Sequence, residues 1–254
     1  MMTQNRDCPS DNGLSISGKQ IMNTNEARKM NTESEAKTEN EACPLDAIVN
    51  PPYNEVFLMD CMEGMKQYPD KFFDIAIVDP PFGIGNFVQN TGNKRGNKVE
   101  WNEYTPSDQY FNELRRVSKD RIIFGANYYN CFEETGGAIV WVKNQPMPDF
   151  SKAVIASCSF HKKIEIYTQT WTNFVAKGRS GIHPCEMPLR LYEWLIKNYA
   201  EDCETILDTH VGSGSSRIAA HKAGKSFVGF EIDKDYHEAQ QKRFKEFKKQ
   251  LTLF

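Results

Sequence analysis

The hydrophobic pattern of this chain begins near residue 50. Before it, Met1 to about Asn50 shows no persistent helical or strand period, is rich in Asn, Glu, Thr and Lys over 23–41, and contains no aromatic residue. Such a segment buries too little apolar surface to offset its ordering entropy, which predicts a disordered or loosely attached arm. At Pro51-Pro52 the pattern changes. Val56-Phe57-Leu58-Met59 is a short apolar run ending at Asp60, and Met62, Met65 and Tyr68 follow at helical spacing. Ile75 to Val78 is a second run, β-branched and too short for a helix, as a strand buried on both faces would be. Further strands are predicted at 121–125, 138–142, 163–171, 205–208 and 226–233. The 163–171 segment alternates, so one of its faces should meet solvent.

Helices are predicted between the strands. Thr105-Pro106-Ser107-Asp108 has a capping side chain, a proline and an acid where a helix starts, and Tyr110, Phe111, Leu114 and Val117 form its buried stripe. Tyr192, Leu195, Ile196 and Tyr199 make the core face of another. A helix from Arg217 to Ala223 stops at Gly224, and a charged closing helix carries Tyr236, Ala239, Phe244, Phe247 and Leu251 as its packing stripe, with 242–249 as its wet face. Seven strands alternating mostly with helices predict an α/β fold: a doubly wound, mostly parallel sheet of the Rossmann-like kind over 51–254.

Composition constrains this picture only a little. The 254 residues can form one full α/β core, and no apolar run is long enough to span a bilayer. Seven scattered cysteines, none in a CxxC pair, read as reduced thiols, which argues against a zinc site; with no basic-then-apolar leader, a cytoplasmic protein is expected. The net charge of −3 resides in the first 50 residues, which hold 5 Lys/Arg and 8 Asp/Glu, against 26 of each in the remainder. Affinity for a polyanion must therefore come from local patches. One lies in the polar segment 83–103, where Lys94, Arg95 and Lys98 cluster among Gly and Asn. Another is formed by Lys162 and Lys163 beside the alternating strand. Either could hold a phosphate backbone, and either could be a solvated face.

The candidate chemistry sits at strand ends. After Val78 come Asp79-Pro80-Pro81-Phe82; two prolines cannot donate to a sheet ladder, so the strand must stop there and present a carboxylate, rigid carbonyls and a ring at its carboxyl end. Open α/β sheets bind ligands at that end. The strand ending at Asp208 leads into Gly212-Ser213-Gly214 and then a helix, a nucleotide-binding beginning without the third glycine of the dinucleotide fingerprint. Glu231 ends a further strand, where a carboxylate would accept ribose hydroxyls. Asp60 ends another and would equally serve as a helix N-cap.

Asp79-Pro80-Pro81-Phe82 resembles the DPPY/F signature of the amino-group DNA methyltransferases. Ile182-His183-Pro184-Cys185-Glu186-Met187-Pro188 is similar to their HPxxKP segment, with Met187 at the lysine position, and the 208–216 turn is similar to their DPFxGSGT. The motifs occur in the circularly permuted order of the β group, with the catalytic half first. The resemblance covers about residues 53–245.

It implies a domain that moves a methyl group from S-adenosylmethionine to an exocyclic amine of double-stranded DNA. Asp79 and Pro80 would polarise the amine, and Phe82, after Pro81, would stack on a base taken out of the duplex. Asp60, His183, Pro184, Asp208, Gly212, Ser213, Gly214 and Glu231 would hold the cofactor. The leading aspartate points to adenine N6. Cytosine N4, RNA, and a non-catalytic nucleotide- or DNA-binding module are the alternatives, while a dinucleotide oxidoreductase would leave the DPPF turn unexplained. The resemblance also implies a short target-recognition region near 145–181. A homodimer and a cognate restriction endonuclease are the expected partners, in the nucleoid of a bacterial or phage-infected cell.

Overall fold

The structure, a computed structural model, describes residues 53–84, 103–145, 151–169, 182–183 and 185–251. The expected arm at 1–50, Lys94, Arg95, Lys98 and Pro184 lie outside the described residues.

In chain order the strands are β1 (Asn54–Leu58), β2 (Phe73–Val78), β3 (Ser118–Phe124), β4 (Gly137–Val142), β5 (Ala153–Cys158), β6 (Ile164–Thr168), β7 (Thr205–Asp208) and β8 (Ser226–Glu231). The helices are α1 (Cys61–Met65), α2 (Asp108–Val117), α3 (Ala126–Tyr129), α4 (Leu189–Tyr199), α5 (Ser215–Lys222) and α6 (Lys234–Leu251). One sheet holds all eight strands in the order β1-β8-β7-β2-β3-β5-β4-β6. β5 runs antiparallel to both of its neighbours, and every other pairing is parallel. It follows that all strands except β5 end on one rim.

The sheet is wound on both faces. Along β2, Ile75 and Ile77 face a cluster with Leu191, Leu195 and Ile196 of α4, whereas Ala76 and Val78 face a second cluster with Met65 of α1 and Phe111 and Leu114 of α2. Ligand-bearing loops form where the chain departs in opposite directions from adjacent strands. Here that place is between β7, which leads to β8, and β2, which leads to β3; the two pair at Ile75 with Ile206 and at Ala76 with Leu207.

The sheet has one strand more than the seven expected. The extra one, β5, is Ala-Val-Ile-Ala-Ser-Cys, whose small residues give no alternation, yet Ala156, Ser157 and Cys158 are buried. It sits between two larger strands, where small side chains suit the space. The α2 stripe of Tyr110, Phe111, Leu114 and Val117 is buried as its spacing predicts, and β6 shows the expected alternation of exposure.

Candidate active site

The turn after β2 carries the first group of functional side chains. β2 is almost wholly buried, so Asp79 is delivered to the carboxyl rim by a strand that cannot move far. Asp79 is half-buried, but its Oδ1 is fully buried and has no hydrogen-bond partner. Burial, and then the Asp208 carboxylate, push the Asp79 pKa up to about 7, while Lys143 opposes the rise. The Pro80 carbonyl accepts a hydrogen bond from the Tyr129 hydroxyl at 2.5 Å. The Phe82 ring stacks on Tyr128, with centroids 4.8 Å apart and planes 13° apart.

The turn after β7 is built around Asp208, which is 1% exposed. Its Oδ1 accepts from the His210 amide at 3.0 Å and its Oδ2 from the Ser216 hydroxyl at 2.5 Å, fastening the glycine turn to the start of α5. Burial raises its pKa to about 6. Gly212 and Gly214 take φ of 53° and 81°, conformations that side chains disfavour. The acidic end of β8 then joins this turn. Glu231 Oε2 accepts from the Gly212 amide at 2.8 Å, and Oε1 accepts from the Asp233 amide at 2.9 Å.

The segment before α4 closes the same corner. The His183 ring lies 3.6 Å from where a Cβ on Gly212 would stand and meets Tyr236 edge-on at 4.6 Å. Burial lowers its pKa to about 4, so it is neutral at physiological pH. Next to it, buried Glu186 pairs with Arg243 of α6 at 2.8 Å, and Arg243 also donates to the Ser213 carbonyl at 2.9 Å. Met187 lies in the core. Two turns thus stand side by side on one rim, one with a buried unpartnered acceptor and the other a glycine cradle edged by a carboxylate.

Residues 155–242 match a family described as DNA methylase, covering N6 and N4 enzymes. The chain is 25% identical over 204 residues to the Escherichia coli (strain K12) protein YubD, covering 72% of this chain and 87% of that one. It is 23% identical over 239 residues to the type II methyltransferase M2.MboI of Moraxella bovis, covering 75% and 87%. The solved PvuII DNA methyltransferase (cytosine-N4-specific) has the same fold, with a TM-score of 0.51 at 14% identity over 76% of this chain and 88% of that one. The chain is similar to the amino-group DNA methyltransferases. These likenesses support S-adenosylmethionine-dependent methylation of DNA as its activity.

The structure brings Asp79, Pro80, Pro81, Phe82, His183, Asp208, Gly212, Ser213, Gly214 and Glu231 to the shared rim. Asp60 uses Oδ1 to cap α1 through the Met62 amide at 2.7 Å, so its N-cap role is the one visible. Lys162 and Lys163 precede β6, and strand polarity puts them on the opposite rim from Asp79. Alternating charge gives no strand direction, which is why sequence alone grouped them with the site.

Three residues at the rim went unread in the sequence, and a fourth, Arg243, was expected on the wet face of the closing helix but turns inward to Glu186. Lys143 follows β4 and interacts electrostatically with Asp79. Tyr129 holds Pro80, and Arg243 holds Ser213. Ile232, an apolar side chain 65% exposed directly after Glu231, edges the cradle. Among the described residues no cluster of His, Cys, Asp and Glu could hold a metal ion, and no helix is long and apolar enough to cross a membrane.

Proposed function

We propose that this enzyme methylates N6 of adenine in double-stranded DNA. The observation that carries the reading is Asp79 Oδ1, a buried acceptor without a donor at the carboxyl end of β2. Leaving a buried acceptor unsatisfied costs roughly 1–3 kcal/mol, and an amine hydrogen would satisfy it. The second amine hydrogen suits the Pro80 carbonyl, whose two lone pairs leave one beyond that used by Tyr129. Two acceptors pulling on the amine draw its lone pair out of the ring and towards the methyl donor. The aspartate at the head of the motif favours adenine.

The cradle fits S-adenosylmethionine. Glu231 retains lone pairs for ribose hydroxyls, Gly212 and Gly214 allow close backbone approach, and neutral His183 adds no charge beside a cation. When bound, the cofactor supplies an activated methyl group; Asp79 and Pro80 orient the amine and Phe82 offers its ring to the extruded base. No covalent enzyme intermediate is needed. In the chain's one Pro-Cys pair, Pro184-Cys185, of the kind used for methylation at a ring carbon, Cys185 is exposed and precedes the helix α4 rather than following β2.

DNA is held, in this reading, by Lys94, Arg95 and Lys98, whose segment joins Ile84 to Glu103 directly after the catalytic turn. The end of β4, the start of β5 and the end of β6 lie on the Asp79 rim, which supports a short target-recognition region near 145–181. So little chain to read a sequence favours action as a homodimer, at the nucleoid, alongside a restriction endonuclease. Expression in a methylation-deficient bacterium followed by modification-sensitive sequencing tests the proposal. N6-methyladenine in a defined context is expected; N4-methylcytosine would overturn the assignment of the base.

A further inference from the structure

The DPPF turn has a mechanical difficulty that its chemistry creates. Neither Pro80 nor Pro81 carries an amide hydrogen, so two successive residues of the turn cannot donate the backbone hydrogen bonds that ordinarily fix a turn's carbonyls. Yet the direction of the Pro80 carbonyl decides whether it meets the amine. A donor has to come from elsewhere in the chain.

It comes from α3, on the neighbouring strand's exit. β3 ends at Phe124 and Gly125 turns the chain with φ of 77°. A Cβ at Gly125 would stand 2.3 Å from the Phe82 ring and 3.0 Å from the Tyr129 hydroxyl, so only glycine leaves room for both. α3 then runs a single turn and stops at Asn130, with φ of 51°. Consecutive helical residues point about 100° apart, and the two tyrosines divide accordingly: Tyr128 lies on Phe82, and Tyr129 sends its hydroxyl to the Pro80 carbonyl. The Tyr129 ring is seated against Phe111 at 5.4 Å and Phe82 at 6.2 Å.

We propose that Tyr129 is a positioning residue of the methyl-transfer site, its hydroxyl aiming the Pro80 carbonyl at the target amine. The proposal rests on the reading of Asp79 and Pro80 as the amine's two acceptors. Burial and the nearby Asp79 carboxylate push the Tyr129 pKa upward, so the group stays a donor at any working pH. Tyr129 touches no reacting atom in this account. Its whole effect passes through Pro80.

The test is Tyr129→Phe in the full-length chain, with the single-turnover rate of tritiated-methyl transfer measured at saturating S-adenosylmethionine and duplex. The expected result is a rate lower by roughly tenfold, the worth of one oriented hydrogen bond, with KM for both substrates within about twofold and cofactor uptake by calorimetry retained. An unchanged rate would overturn the proposal, as would a loss carried by KM. So would a collapse of Tm together with cofactor uptake, because the hydroxyl would then be a structural support. Absence of transfer in the parent enzyme would count instead against Asp79 and Pro80 as acceptors of a methylated amine, which keeps the two failures apart.

Discussion

The carboxylate of Glu231 and the amide of Gly212 are joined by a hydrogen bond of 2.8 Å across 19 residues of sequence. With the Asp233 amide on its other oxygen, Glu231 both shapes the glycine turn and edges the cradle. Glu231→Gln puts an NH2 group against one of these two donors. Cofactor affinity should fall about 10–100-fold, from the loss of a charge-assisted bond, while duplex affinity stays within about twofold. Titration calorimetry and a DNA-binding assay measure both, and an unaltered cofactor affinity would remove Glu231 from the cradle.

Arg243 should matter more than its place on a charged helix suggests. Arg243→Ala removes the guanidinium that pairs with buried Glu186 and donates to the Ser213 carbonyl. The expected cost is about 2–4 kcal/mol, or a Tm lower by about 5–10 °C, with several-fold weaker cofactor binding. Adding Glu186→Gln should recover part of the loss, since a neutral amide is cheaper to bury than a carboxylate. Additive losses would show that the pair does not act as a unit.

These two cases mark what the sequence makes legible. Short β-branched runs that stop at Asp60, Asp79, Asp208 and Glu231 announce strands whose carboxyl ends carry acids, and Gly212 and Gly214 announce a turn no side chain fits. Which charge on α6 turns inward cannot be read, because Lys242, Arg243 and Lys245 present the same pattern and only the fold brings Glu186 to one of them. β5 is illegible for the opposite reason: its small residues match a gap between neighbours that exists only once β3 and β4 are in place. Tyr129 reads as one more aromatic in a core, and its hydroxyl acquires meaning only from the prolines it faces.

Asp79 makes a pH prediction of fixed sign. Its folded pKa, near 7, lies above the ordinary carboxylate value because burial and Asp208 disfavour the charge. The folded state therefore keeps a proton that the unfolded chain has released, and the contribution to stability present below about pH 4 is lost as pH rises to about 7. Asp79→Asn should melt higher than the parent at pH 8, by on the order of 5 °C, and no higher at pH 4. Equal melting temperatures at pH 8 would contradict it. Transfer should run the other way, its single-turnover rate rising through about pH 7 as the accepting carboxylate forms.

The basic segment makes a prediction about salt. Replacing Lys94, Arg95 and Lys98 together with alanine should weaken duplex binding for all sequences alike and lower the slope of log affinity against log salt by roughly 2–3. An unchanged slope would exclude the segment from the interface.

The account depends above all on the carboxylate at the end of β2, and Asp79→Ala tests it most directly. Calorimetry should show S-adenosylmethionine bound as tightly as by the parent, because the Asp208–Glu231 cradle is untouched, while tritiated-methyl transfer to DNA falls on the order of a hundredfold or more. Cofactor binding retained alongside near-parental transfer would contradict the role assigned to Asp79.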